Sequence, residues 1–225
     1  MSRDIELNPV PAASLIILYS TVALYAALLV AGWDRIPDLM PTHWGISGAP
    51  DAFTSKTPGA VFGMLAIGAV PLGLLTPLVL YATHSQAEHG DDHARATANE
   101  MMPLIAQLMA GITVVSLGGI TASLLGFLGG GLSTLIVVSA LVLLLIWFVA
   151  RMRVARRRIA AAVGPGELDG HLRWGMFYAN PGDERVLVEH GMGTTVNFAR
   201  PEAWLLLAAL LSPAVILIAV VILAS

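Results

Sequence analysis

The chain has 225 residues, of which 56% are hydrophobic and only 12% are charged. A soluble domain carries about a quarter charged residues, so this composition excludes a protein whose whole surface faces water. The formal net charge of −3 is too small to indicate a nucleic-acid partner. Cysteine is absent, which excludes disulfides, thiolate metal sites and thiol nucleophiles.

The apolar residues fall into runs long enough to cross the roughly 30 Å hydrocarbon core of a bilayer, which takes about 20 helical residues. These runs predict an all-α integral membrane protein with about five transmembrane helices. The predicted organisation is a four-span membrane domain over 1–158, a segment over 159–201 and a C-terminal helix over 202–225. The predicted spans are 11–33, 58–83, 101–128, 132–150 and 203–225.

The second span contains two prolines, Pro71 and Pro77. Each removes a backbone donor, so we expect a kink whose freed carbonyls must be accommodated by neighbouring helices. The helix should begin at Pro58, with Thr57 as its N-cap. A short, polar and acidic loop over 84–100 is expected to follow it.

The third span is rich in small residues. Gly111, Gly118, Ala122 and Gly126 fall on one helical face. Helices in lipid associate through close backbone packing, so this stripe predicts a helix–helix contact. The contact lies either inside the monomer or at the seam of a homodimer. The glycines at 129–131 are expected to form a tight turn into the fourth span.

Arginines begin where the fourth apolar run stops. Basic residues near span ends stay in the cytoplasm, so the N-terminus, the 84–100 loop and the 159–201 segment are expected there. The 34–57 loop and the C-terminus are expected outside. Because Arg is strongly preferred over Lys, the membrane is expected to be bacterial. These basic side chains could also bind anionic lipid headgroups. They are Arg151, Arg153, Arg156, Arg157 and Arg158.

The 159–201 segment is polar enough to stand in water. Its beginning can continue the fourth helix until the Gly-Pro-Gly sequence at 164–166. Two β-prone runs, 185–189 and 194–198, are separated by 191–193, a spacing that favours a small hairpin. A lone hairpin is marginally stable, so we expect it to pack on helix ends.

None of the predicted spans contains Asp, Glu, Lys, Arg or His. Ion-coupled transporters commonly place ionisable residues at mid-membrane, so this pattern weighs against such a mechanism. His89 and His93 would share a face if their loop were helical, a geometry that can hold zinc. Hydrated histidines are the simpler interpretation, and no cofactor is expected.

The 34–57 loop holds a titratable base, an anion and a cation: His43, Asp51 and Lys56. Its Pro and Gly residues predict a folded turn, and Trp44 can rest at the membrane interface. The three polar residues are either ordinary solvated groups or part of a ligand site. They do not define a catalytic site, because no nucleophile–base–oxyanion arrangement can be read from them.

Part of this loop resembles a known signature. Pro41–Trp44, Gly48–Asp51 and the Ser55-Lys56 pair resemble a bacterial membrane domain of unknown function, which also forms the N-terminal part of the SdpI-type immunity proteins. A second stretch over 174–198 is similar to another uncharacterised domain that often follows the first. Its motif residues are Tyr178, Asn180, Asp183 and Asn197.

The resemblance implies a non-enzymatic membrane protein that senses or binds a ligand, such as a peptide toxin, at its outer face. His43, Trp44, Asp51 and Lys56 would contact the ligand, and the 159–201 segment would be the output or a brace. The C-terminal half does not resemble the toxin-immunity half of the SdpI-type proteins. A small transporter or lipid-handling protein is one alternative, and an accessory subunit docked on a membrane-protein partner is another.

Overall fold

The computed structural model describes residues 5–44, 50–166, 168–173, 177–190 and 193–224. Within them the chain is mostly helical, with short strands. The helices are α1 (Ala12–Ala31), α2 (Pro58–Glu88), α3 (Asp92–Leu124), α4 (Gly130–Val163) and α5 (Pro201–Ala224). The strands are β1 (Leu39–Trp44), β2 (Pro50–Ser55), β3 (Leu172–Arg173), β4 (Phe177–Tyr178), β5 (Leu187–His190) and β6 (Gly193–Val196).

Four helices, α1 to α4, are long and apolar enough to cross a membrane, judged over the described part of the chain. The prediction of a multi-pass helical membrane protein is therefore confirmed. The apolar stretch described in α5, Pro201–Ser212, is shorter than a membrane span.

The helices alternate in direction and give the bundle two ends. We call the end where α1 stops and α2 begins the hairpin end, because β1 and β2 connect these helices. There the Arg35 guanidinium lies 5.4 Å from the ring centre of Phe127. We call the other end the arginine end, where α4 carries the arginine cluster. There the backbone N–H of Asn8 donates to Asn99 Oδ1 over 2.7 Å.

Helix α3 lies at the centre of the bundle, in contact with α1, α2 and α4. At the hairpin end, Leu29, Leu65 and Leu117 form one buried cluster, and Met40 of β1 inserts into it. At the arginine end, Leu80 and Met102 are buried in a second cluster. Helix α4 buries few side chains, so most of its apolar surface is left for lipid.

Small residues of α3 allow close approach within one chain. A Cβ atom on Gly118 would lie 2.7 Å from the Tyr25 hydroxyl oxygen, and one on Gly111 would lie 2.9 Å from Leu144 Cδ2. The Tyr25 hydroxyl donates to the Val114 carbonyl over 3.2 Å. These contacts join α3 to α1 and α4. Gly111 and Gly118 therefore serve packing inside the monomer.

Gly126 does not belong to this stripe, contrary to the prediction. Helix α3 ends at Leu124, and Gly126 has φ +73°, a left-handed conformation that glycine adopts at low cost. It reverses the chain before α4. The predicted turn at 129–131 is also wrong, because α4 already begins at Gly130.

The prolines of α2 show how a freed carbonyl is used. Pro77 has no N–H to donate to the carbonyl of Gly73, four residues earlier. The Tyr19 hydroxyl of α1 donates to that carbonyl instead, over 2.8 Å. A neighbouring helix thus accommodates the missing bond. Thr57 caps α2 by accepting from the Ala60 N–H over 3.1 Å.

The predicted 84–100 loop is largely helical instead. Helix α2 continues to Glu88, and α3 begins at Asp92, with Asp91 accepting from the Ala94 N–H over 2.8 Å. The Ala, Glu, Gln and Arg residues here favour helix, so both helices extend beyond their apolar stretches. The end of an apolar stretch therefore does not mark the end of its helix.

The all-α prediction is also corrected, because the 34–57 loop contains a β-hairpin. Strands β1 and β2 pair antiparallel, with Leu39 opposite Ser55 and Pro41 opposite Phe53. A two-stranded ribbon leaves each strand one free edge, where proline is tolerated. The prolines therefore led to the prediction of a turn where the structure has two strands.

The segment after α4 has its own small core. Helix α4 ends at Val163 and is followed by Gly164 with φ +88°. The predicted hairpin is present as β5 and β6, and β3 pairs with β4. A buried cluster of Leu168, Tyr178 and Val188 holds these strands together.

Candidate functional site

The hairpin bends where its polar residues lie. His43 pairs with Ala52, and the register shifts on both sides of His43, between it and Pro41 and between it and Trp44. Extra residues of this kind twist a strand and re-aim its side chains. Asp51 is the residue of β2 that the second shift brings beside His43.

The side chains of His43 and Asp51 meet in a hydrogen-bond contact near the exposed tip of the hairpin. Nδ1 of His43 lies 2.5 Å from Oδ1 of Asp51, and the side chains are 55% and 43% exposed. An exposed pair contributes little to stability. A carboxylate at Nδ1 orients the imidazole ring. The other ring nitrogen of His43, Nε2, is then the atom that can bind a partner.

Lys56 does not join this pair. Its Nζ atom donates to the carbonyl of Ile36 over 2.9 Å and lies 5.6 Å from the ring centre of Trp33. Its side chain is only 16% exposed, and Nζ also lies 3.5 Å from Oδ1 of Asp38. Lys56 therefore holds the base of the hairpin against the chain that follows α1.

Trp44 closes β1 opposite Pro50. Its side chain, together with Gly48 and Ala49 of the loop motif, lies outside the part of the structure that is described.

An apolar cleft of about 240 Å³ lies at the hairpin end. It is formed between the hairpin and helices α2 and α3, and Thr42, the neighbour of His43, lines it. The hairpin end therefore holds both an oriented polar pair and an apolar cavity. The lining residues are Pro37, Pro41, Thr42, Met64, Ile67, Ile120, Ser123 and Leu124.

The apolar lining was missed from the sequence. Met64, Ile67 and Ile120 stand in spans where almost every residue is apolar, so their type carries no information. Only Thr42 and Ser123 are polar enough to be noticed. These residues could have been identified as a lining only if the packing of β1 against α2 and α3 were already known.

The motif residues of the 159–201 segment converge on each other. Asn197 is fully buried, and its Oδ1 accepts from the backbone N–H of Asn180 over 3.0 Å. Its Nδ2 donates to the carbonyls of Asn180 and Asp183. The Tyr178 hydroxyl donates to Asp183 Oδ2 over 3.0 Å.

Asp183 is further engaged by Arg185. The guanidinium donates to both carboxylate oxygens, at 3.0 and 2.8 Å. Hydrogen bonds from the Arg185 side chain and backbone hold the pKa of Asp183 well below its ordinary value, helped by Tyr178. Since these groups satisfy one another, the motif of Tyr178, Asn180, Asp183 and Asn197 holds the segment together.

The remaining predicted site residues lie at the arginine end. His89 follows the last residue of α2 and His93 lies in the first turn of α3. The two histidines therefore do not share a helix face, which removes the geometry on which a zinc site depended. The described residues contain no group of three or more His, Asp or Glu side chains placed to hold a metal ion.

The five arginines occupy the last turns of α4. Arg158 pairs with Glu100 of α3, its NH1 lying 3.5 Å from Oε2. Arg151 makes no polar contact with the described part of the chain and lines a second cleft, between α3 and α4.

A family model matches the part of the chain that contains the hairpin. Residues 21–69 match the family described as Domain of unknown function (DUF1648). The match runs from the middle of α1 through β1 and β2 into α2. No curated protein and no solved structure matches the chain. Around its hairpin, this multi-pass chain is therefore similar to an uncharacterised domain.

Proposed function

We propose that this is a non-enzymatic, SdpI-related bacterial membrane protein that binds a peptide ligand at its hairpin end. The observation that carries the proposal is that the exposed His43–Asp51 contact, at 2.5 Å, and an apolar cleft of about 240 Å³ share the hairpin end. Polar groups that fix orientation at the edge of an apolar cavity are typical of ligand sites. The match to an uncharacterised domain covers the same hairpin.

The proposed orientation places the hairpin outside the cell. The arginine cluster lies at the opposite end of the bundle, and basic residues favour the cytoplasmic side. In this arrangement α5 is the fifth span and runs outward from the cytoplasmic 159–201 segment.

The hairpin suits an extended peptide. Each strand of the two-stranded ribbon has one unpaired edge, and a peptide can add to such an edge through backbone hydrogen bonds. Leu39 and Phe53 are 59% and 49% exposed, so the ribbon also offers apolar contacts. We infer a peptide that places an apolar side chain in the cleft and a hydrogen-bonding group at His43.

A transporter receives less support. Tyr19 and Tyr25 are used in hydrogen bonds between helices, as is Ser133, whose hydroxyl donates to the Gly119 carbonyl over 3.0 Å. Polar groups engaged in this way do not line a substrate path.

A displayed peptide library tests the proposal. The library is selected on the full chain in nanodiscs, and the enriched peptides are measured against His43→Ala, Asp51→Ala and the control Ser55→Ala. We expect enriched peptides to lose affinity about tenfold on the first two variants, because a hydrogen bond at this pair is lost, and to keep it on the control. Peptides that bind all variants equally, or a selection that enriches nothing, would refute the site.

A further inference from the structure

The cleft between α3 and α4 at the arginine end is distinct from the hairpin site. It has a volume of about 200 Å³ and is lined by polar and apolar residues from both helices. On α4 the lining residues include Arg151, Val154 and Arg158, whose spacing of three, four and seven residues places them on one helix face. Arg153 and Arg157 do not line the cleft, because their positions turn them to other faces.

The polar groups of the cleft lie at two depths. Arg158 and Glu100 form the outer level, joined by their 3.5 Å contact. Arg151 and Gln107 form the inner level. Each lies seven residues from its outer-level neighbour on the same helix, towards the apolar stretch, which is about 10 Å along a helix. Leu104 and Val154 lie between these levels. A ligand for the cleft therefore needs polar groups at both depths and an apolar part beside them.

Gln107 is the second observation that indicates a ligand. Its side chain is exposed on the apolar stretch of α3, and no hydrogen bond joins it to the described part of the chain. In lipid, an unsatisfied amide is costly. Arg151 stands at the same depth without a described partner. Both donors are therefore available to acceptor atoms of a ligand.

We propose that this cleft binds the headgroup of an anionic phospholipid from the surrounding bilayer. Two arginines and one glutamate give the site a charge of about +1, which matches one phosphodiester. The guanidinium of Arg151 would bind the phosphate, and the Gln107 amide would donate to an ester oxygen. Glu100 would accept from hydroxyl groups of a glycerol headgroup, which choline lacks. The acyl chains would follow the exposed apolar face of α4.

The test uses the full chain in a neutral detergent, titrated with phosphatidylglycerol or phosphatidylcholine, with lipid adducts counted by native mass spectrometry. Arg151→Gln and Arg158→Gln should each weaken phosphatidylglycerol binding about fivefold, and Gln107→Leu should weaken it too. Arg153→Gln and Arg157→Gln remove the same charge outside the cleft and should have little effect. Arg151→Lys keeps the charge and should retain part of the affinity.

Equal losses from all four Arg→Gln variants would mean a diffuse surface charge and would overturn the site. So would unchanged binding in the cleft variants, or equal binding of phosphatidylcholine. Soluble glycerol phosphate forms the last arm: if it displaces the lipid at millimolar concentration, the ligand is a small phosphate rather than a membrane lipid. Circular dichroism of each variant without lipid verifies that the fold persists.

Discussion

At Asp183, hydrogen bonds from Tyr178 and Arg185 meet on one carboxylate. The pKa of this group is lowered on folding, so its contribution to stability is present above the ordinary carboxyl pKa of about 3.9 and is lost as the pH falls. We expect Asp183→Asn to lower the thermal unfolding midpoint at pH 7 and to flatten its fall in acid. Glu184→Gln is the control, because Glu184 is the next residue and its side chain is exposed. Equal pH profiles for Asp183→Asn and the original chain would contradict the role given to Asp183.

Lys56 is expected to act on the hairpin base rather than on a ligand. Lys56→Met leaves the Ile36 carbonyl without its donor, and an unsatisfied buried group costs about 1–3 kcal/mol. Hydrogen exchange of the backbone amides in β1 and β2 should therefore accelerate. Lys56→Arg should restore part of the protection, and His43→Ala should leave it unchanged. Faster exchange in His43→Ala than in Lys56→Met would reverse the two assignments.

At the scale of the helix, Gly118 sets how closely α3 approaches α1. A methyl group there would lie 2.7 Å from the Tyr25 hydroxyl oxygen, so Gly118→Ala should destabilise the bundle by about 1–3 kcal/mol through overpacking. Gly63 of α2 has no atom within 4 Å of such a methyl group. Gly63→Ala should therefore be neutral or slightly stabilising, since alanine favours helix. Thermal unfolding in detergent compares the two, and equal midpoints would place the α1–α3 contact elsewhere.

Elements were predictable where one physical signal dominates. Long apolar runs identify the four candidate spans, because burial in lipid requires them. Strands β1 and β2 were hidden by Pro41, Pro50 and the shifts beside His43, which break the alternation of a strand. The ends of α2 and α3 were hidden because polar helix formers continue a helix into water.

At the scale of the molecule, the candidate site depends on chain segments that meet only after folding. Sequence proximity suggested that His43, Asp51 and Lys56 act together. The hairpin brings the first two to 2.5 Å and places Lys56 at its base. The apolar cleft is assembled from α2, α3 and β1, which no local pattern could reveal. The two proposed sites lie at opposite ends of one bundle, so both depend on which end faces the cytoplasm.

Cysteine labelling measures that orientation directly, and the absence of native cysteine leaves no background. Ala52→Cys places a thiol on the exposed strand β2, and Gly182→Cys places one on the exposed turn after β4. In intact cells an impermeant thiol reagent should label the first variant, and it should label the second only after the membrane is opened. Labelling of Gly182→Cys but not of Ala52→Cys in intact cells would contradict the orientation, and with it the proposal that the hairpin meets its ligand outside the cell.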